Sequence, residues 1–240
     1  MSDALIIVPT YNERESLTIV LDRIVASSPG VDVLVVDDDS PDGTGSLADD
    51  YASTNPDVHV LHRNRKAGLG PAYIAGFRWA FERDYSWVVE IDADGSHDPA
   101  IIPTLLGVAR GVTADLVIGS RWVTGGSVDG WSVARQLISR AGNAYARIAL
   151  RSKIKDLTAG FRVIRVESLR DIHLETIASS GYCFQIEIAD RIESGGGTVI
   201  EHPITFIERE LGKSKMHLGI VVEAFARITG WGVGRWFLGR

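Results

Sequence analysis

The chain has 240 residues, 45% of them hydrophobic and 23% charged, enough to bury a core without covalent staples. Its one cysteine, Cys183, excludes an internal disulfide and a cysteine-built zinc cluster. A net charge of −6 argues against a nucleic-acid binder, and no uncharged stretch nears the ~18 residues needed to cross a bilayer. With no basic flank before its first apolar run, the start lacks a secretion signal, so a soluble, cytoplasmic-type protein is expected.

Leu5-Ile6-Ile7-Val8 is a continuous apolar run, the pattern of a strand buried on both faces. Leu17, Val20, Leu21, Ile24 and Val25 recur at helical spacing. Strands are expected at 31–36, more weakly at 58–61, at 87–91 and at 116–118, with helices over 73–81 and 101–109. This alternation predicts an α/β fold, a parallel sheet sandwiched by helices. Beyond residue 120 the pattern predicts a long helix over 133–150, a strand at 162–165 and a helix over 184–193, cut by Gly195-Gly196-Gly197. Residues 198–207 read as extended with Pro203 inside, an edge strand or a bend, and 218–228 as helical before a tail rich in Gly, Trp and Arg. No repeat or linker interrupts the chain, so one continuous domain is expected.

Charge is unevenly spread. Residues 1–120 sum to −11, residues 121–162 to +6 and residues 163–240 to −1. An acidic first half suits metal chemistry, and a basic middle suits a phosphate or an anionic membrane surface, although a solvated helix face explains the latter equally well.

Ligands of open α/β sheets sit at the carboxyl ends of the strands. After the first strand comes Pro9-Thr10-Tyr11-Asn12-Glu13, whose lack of glycine counts against a dinucleotide-binding Gly-x-Gly-x-x-Gly; no Walker A sequence occurs. Helix capping accounts for Asn12-Glu13, while Tyr11 at that mouth suits stacking on a base. After the second strand comes Asp37-Asp38-Asp39-Ser40-Pro41-Asp42-Gly43-Thr44. Much of it is turn chemistry, but three adjacent carboxylates repel unless a donor or cation compensates, which favours a functional role for one or two. After the fourth strand comes Asp92-Ala93-Asp94-Gly95-Ser96-His97-Asp98-Pro99, where two carboxylates can converge on a divalent cation; His97 reads as a loop hydrogen-bonder because such cations prefer oxygen. Gly119-Ser120-Arg121 directs an arginine toward the same mouth, and Glu208-Arg209-Glu210-Leu211-Gly212-Lys213-Ser214-Lys215 reads as a solvated connection or a lid over a diphosphate.

As an ensemble these motifs, with Thr158-Ala159-Gly160-Phe161-Arg162 and Gly212-Lys213-Ser214-Lys215, resemble the dolichol-phosphate (polyprenol-phosphate) mannose synthases, inverting family 2 glycosyltransferases, over roughly residues 4–216. The resemblance is greatest to the stand-alone bacterial forms. It implies a single-domain GT-A fold, a Rossmann-like, mostly parallel sheet flanked by helices. Residues 1–216 would be the catalytic domain and 217–240 a C-terminal helix and tail at a membrane interface or partner contact. It implies mannose transfer from GDP-mannose to a polyprenyl phosphate at the cytoplasmic face of a membrane, with Mg2+ or Mn2+ and without nucleic acid. Pro9, Tyr11, Glu13, Val36 and Asp38 would surround the nucleoside. Asp92 and Asp94, with Ala93 alongside and Ser96 as a further ligand, would hold metal and diphosphate. Arg121, Arg135 and Ser139 would grip the acceptor phosphate, and Arg209 and Lys215 the diphosphate; Asp94 and Arg121 are the expected catalytic pair. Two rivals stay open: a UDP-glucose-dependent glucosyltransferase, and a non-catalytic nucleotide-sugar-binding subunit.

Overall fold

A strand with no polar face must be covered on both sides, and β1 (Ala4–Thr10) lies inside the sheet with Ala4 to Val8 fully buried. The computed structural model describes residues 2–177, 179, 181–208 and 218–237. In chain order β1 is followed by α1 (Leu17–Ser27), β2 (Asp32–Asp37), α2 (Thr44–Thr54), β3 (Val58–His62), α3 (Leu69–Phe81), β4 (Trp87–Glu90), α4 (Ile102–Val112) and β5 (Leu116–Ser120). Then come β6 (Ser127–Asp129), α5 (Val133–Leu150), β7 (Arg162–Arg165), α6 (Val166–Asp171), α7 (Tyr182–Ser194), β8 (Val199–Pro203), β9 (Thr205–Ile207) and α8 (Leu218–Phe237).

The main sheet has the order β3-β2-β1-β4-β7-β5-β8, and all its pairings are parallel except those of β7, which runs antiparallel to both β4 and β5. Side chains alternate across it. Leu5, Ile7, Leu34, Val36, Val88, Leu116 and Ile118 face α3, α5, α6 and α7; Ile6, Val8, Val33, Val35, Val89 and Val117 face α1, α2 and α4. Chain order reverses between β1 and β4, which makes the crevice beyond their carboxyl ends the switch point where such sheets bind ligands.

The expected elements form, with instructive differences. The extended stretch 198–207 is two strands in different sheets: β8 pairs with β5, the chain bends at Ile204, and β9 pairs with β6. Helix α2, strand β6 and helix α6 were not expected. Only Thr44, Gly45 and Ala48 of α2 are buried and β6 is three residues long, so neither leaves a clear periodic mark. Helix α8 continues through the Gly-Trp-Arg tail to Phe237 and packs on α5 and α7: Arg235 donates to both Asp190 carboxylate oxygens at 2.8 and 3.0 Å, and Trp236 Nε1 donates to the Ala149 carbonyl at 3.1 Å. No helix among the described residues is long and apolar enough to cross a membrane.

Candidate active site

Asp92 and Asp94 leave β4 just beyond its last paired residue, and Gly95 takes φ +75°, a backbone state that suits glycine and turns the loop back. Asp94 accepts the Ser96 N–H at 3.0 Å. Ser96 is 1% exposed, and its hydroxyl has no hydrogen-bond partner among the described residues. Such an orphan in a polar loop is a ready ligand or a seat for a ligand's water. His97 is not the loop hydrogen-bonder expected. Its ring is buried against Phe161 and Phe206, each at 5.1 Å between centroids, and its Nδ1 has no partner among the described residues. Burial holds its pKa down to about 4, so it stays neutral, with Nε2 3.8 Å from Asp92.

A cavity of about 670 Å³ opens from these residues. Asp92, Asp94, Ser96, His97, Arg121 and Thr158 line it together with Trp131, Arg135 and Ser139, and Ile138, Tyr145, Ile186, Phe225 and Ile228 of α5, α7 and α8 give it an apolar wall. The structure therefore joins Asp92 and Asp94 to Arg121, Arg135 and Ser139 in one space. Pro9, Tyr11, Glu13, Val36 and Asp38 stand outside that wall, at the ends of β1 and β2, the next strands along. Ala93 is buried under the loop, and Arg209 and Lys215 lie outside the described residues.

Of the carboxylates at 37–42, Asp37, Asp38 and Asp42 each find donors, and Asp39 is exposed. Asp37 accepts the Thr10 hydroxyl at 2.9 Å and the Ser40 N–H at 3.0 Å, and Asp42 accepts the Thr44 N–H at 3.0 Å. Asp38, 3% exposed, accepts from Arg63 and from the Ala67 and Gly68 N–H groups at 2.9 and 3.0 Å. Its carboxylate is the anchor of the 63–68 loop, which carries Lys66 to 3.9 Å above the Tyr11 ring. The Val36 side chain faces the core, so only its backbone, in register with Pro9, reaches the mouth. Asp38→Asn leaves Arg63 and two N–H groups facing one neutral oxygen. We expect a loss of about 2–4 kcal/mol in stability, read by thermal unfolding, with faster amide exchange at Ala67 and Gly68.

Arg121 meets the cavity already held. Its backbone N–H and Nε donate to Asp156 Oδ2 at 2.9 and 2.8 Å, and its Nη2 to Asp156 Oδ1 at 2.7 Å and to Thr158 at 2.9 Å. Asn143 of α5 donates to the same Thr158 hydroxyl at 3.0 Å, so α5 is tied directly to this pair. Beneath the floor, fully buried Glu90 and Arg162 face each other in register. Burial pushes Glu90 up to about 7 against the pull of Arg162. Arg162 donates to the carbonyls of Leu157 at 2.7 Å, Ala159 at 2.7 Å and Gln185 at 2.6 Å, fixing the 157–160 loop under the cavity. Asp156 and Asn143 carry no sequence signal, because the partners that give them a role, Arg121 and Thr158, lie far along the chain; Glu208 lies in the 208–215 stretch with nothing local to mark it.

Residues 5–173 match glycosyl transferase family 2. An undecaprenyl-phosphate mannosyltransferase of Micrococcus luteus is 54% identical over 97% of this chain and 95% of its own. A polyprenol monophosphomannose synthase of Mycolicibacterium smegmatis is 51% identical over 95% and 86%. The chain belongs to glycosyl transferase family 2, and within it to the polyprenyl-phosphate mannosyltransferases. Among solved structures, a Pyrobaculum calidifontis mannosyltransferase in complex with GDP-Man and Mn2+ superposes with a TM-score of 0.64 at 19% identity, over 94% of this chain and 63% of that one, less than two thirds of its length. Glucosyl-3-phosphoglycerate synthase of Mycobacterium tuberculosis, in complex with Mn2+, UDP and glucosyl-3-phosphoglycerate, gives 0.66 at 19% identity, over 97% and 79%. Both share the fold.

Proposed function

We propose that this glycosyltransferase moves mannose from GDP-mannose to a polyprenyl monophosphate, with inversion at the anomeric carbon. One observation carries the reading: a single cavity is lined by two strand-end carboxylates, by Arg121 and Arg135, and by an apolar wall fit for an isoprenoid tail. The names of the two relatives that are 51% and 54% identical support it. An acceptor oxygen, already ionised as a phosphate monoester, attacks the anomeric carbon; the bond to the diphosphate breaks from the opposite side and GDP leaves. No general base is needed. Arg121, Arg135 and Ser139 offset the repulsion between the phosphates, and Arg209 and Lys215 take the diphosphate side. Pro9, Tyr11, Glu13 and the backbone of Val36 surround the nucleoside, with Asp38 placing the loop that carries Lys66.

The carboxylates of Asp92 and Asp94 and the orphan Ser96 hydroxyl make an oxygen donor set that fits Mg2+ or Mn2+. Diphosphate oxygens and water would complete the shell that these residues begin. The chemistry such a cation would supply is neutralisation of the charge developing on the leaving diphosphate. The exposed Val133, Leu137 and Ile138 of α5, beside Arg140 and Arg147, support a peripheral position on a membrane surface. Helix α8, by walling the groove with Phe225 and Ile228, acts with the catalytic body. The purified protein, given GDP-mannose, Mg2+ or Mn2+ and a polyprenyl phosphate, should form mannosyl lipid, and UDP-glucose should not replace the donor. No lipid-linked mannose under either cation rejects the reading.

A further inference from the structure

Arg135 stands in the first turn of α5, where a cation opposes the helix dipole and an anion beside it is favoured. Its guanidinium lies 4.1 Å above the Trp131 ring, which fixes its plane. Its Nη1 donates to Glu208 Oε1. Glu208 follows β9, and its N–H donates to the Asp129 carbonyl at 3.0 Å, so the small β6–β9 sheet holds its backbone. Gly130 makes room for it: a Cβ there would sit 2.8 Å from Glu208 Cβ. Both Arg135 and Glu208 line the cavity. An anion of this chain therefore already sits on a cation that the acceptor phosphate would use. Asp156 holds Arg121 in a similar way, but that pair is buried, 0% and 7% exposed, and multiply bonded. The Arg135–Glu208 side chains are 34% and 43% exposed, where an ion pair is weak and exchangeable.

Resting on the acceptor reading above, we infer that Glu208 is a specificity-determining residue: a resident carboxylate that a phosphate monoester displaces from Arg135 and a phosphodiester does not. A monoester carries about −1.5 to −2 charges at neutral pH and three terminal oxygens for the guanidinium. A diester carries a single charge, no more than the carboxylate, and must compete with a group tethered beside Arg135 at high effective concentration. A membrane surface offers diester headgroups in large excess over polyprenyl monophosphate. A bare arginine at the mouth of a lipid groove would be filled by them. Glu208 sets a threshold that only the doubly charged acceptor passes.

The test uses two ligands with one tail, farnesyl monophosphate and its methyl phosphodiester, titrated calorimetrically into the full chain without sugar donor. The wild type should prefer the monoester. Glu208→Gln should bind the diester about 10-fold more tightly and the monoester less than ~3-fold more tightly, narrowing the preference. Glu208→Asp, which keeps the charge on a shorter arm, should fall between. Phosphatidylglycerol vesicles should inhibit mannosyl transfer by Glu208→Gln more than by the wild type. With Arg135→Ala in place, Glu208→Gln should change nothing, because the group it guards is gone. An unchanged monoester-to-diester ratio in Glu208→Gln overturns the inference. A wild type that binds neither ligand overturns the acceptor reading and this inference together. Failure of GDP-mannose to support transfer, with the discrimination intact, sinks only the donor half of that reading.

Discussion

Asp94→Ala should lower mannosyl transfer by about 1000-fold or more while leaving the fold in place. Asp94 lines the cavity at the carboxyl end of the sheet and accepts the Ser96 N–H at 3.0 Å. Losing that bond costs about 1 kcal/mol, so the unfolding midpoint should move by only a few degrees. The chemistry loses far more, because charge building on the diphosphate in the transition state loses one of the two carboxylates that would hold its counter-ion. Transfer, thermal unfolding and Mn2+ binding are measured on the same preparation. A variant that still binds Mn2+ with GDP and keeps its transfer rate removes Asp94 from this role.

Arg135→Ala should separate the two substrates. The apparent KM for polyprenyl phosphate should rise about 10- to 100-fold, as expected for losing a charge-assisted bond worth about 1.5–3 kcal/mol, while the KM for GDP-mannose moves less than ~3-fold. Arg135 lies on α5 and shares the cavity wall with Asp92 and Asp94, while Tyr11 and Glu13 stand outside that wall. Its only described ion-pair partner, Glu208, is half-exposed, so the variant leaves no buried charge behind. The same change at Arg121 would be less informative, since it would strand the carboxylate of Asp156 at 0% exposure and endanger the fold. Equal losses for both substrates reject the placement of Arg135 on the acceptor.

Much of the architecture was legible because burial leaves a periodic trace. The runs at 5–8, 33–36 and 116–118 have no polar face, and only the interior of a parallel sheet accommodates that. The 133–150 helix and the 162–165 strand fall where their patterns place them. Direction leaves no such trace. That β7 inserts antiparallel between β4 and β5 depends on a pairing of Glu90 with Arg162, 72 positions apart, which no local pattern encodes.

The site divides along the same line. Asp92, Asp94 and Arg121 stand in short motifs with their own chemistry, whereas Arg135 is pointed to only by the family resemblance. What each side chain does with its hydrogen bonds was not legible. Asp38, which the resemblance places beside the base, also anchors the 63–68 loop, and His97, expected to hydrogen-bond in its loop, is a neutral ring between two phenylalanines. The class of fold, the acidic strand ends and the basic middle segment follow from residue order alone, since burial periodicity and charge are properties of residues in order. Folding is what gives Arg121 to Asp156, rests Glu208 on Arg135, and lets α5 and α8 wall an apolar groove in the same cavity. Those are contacts between distant segments, and their energies depend on distance and exposure, which exist only once the chain has folded.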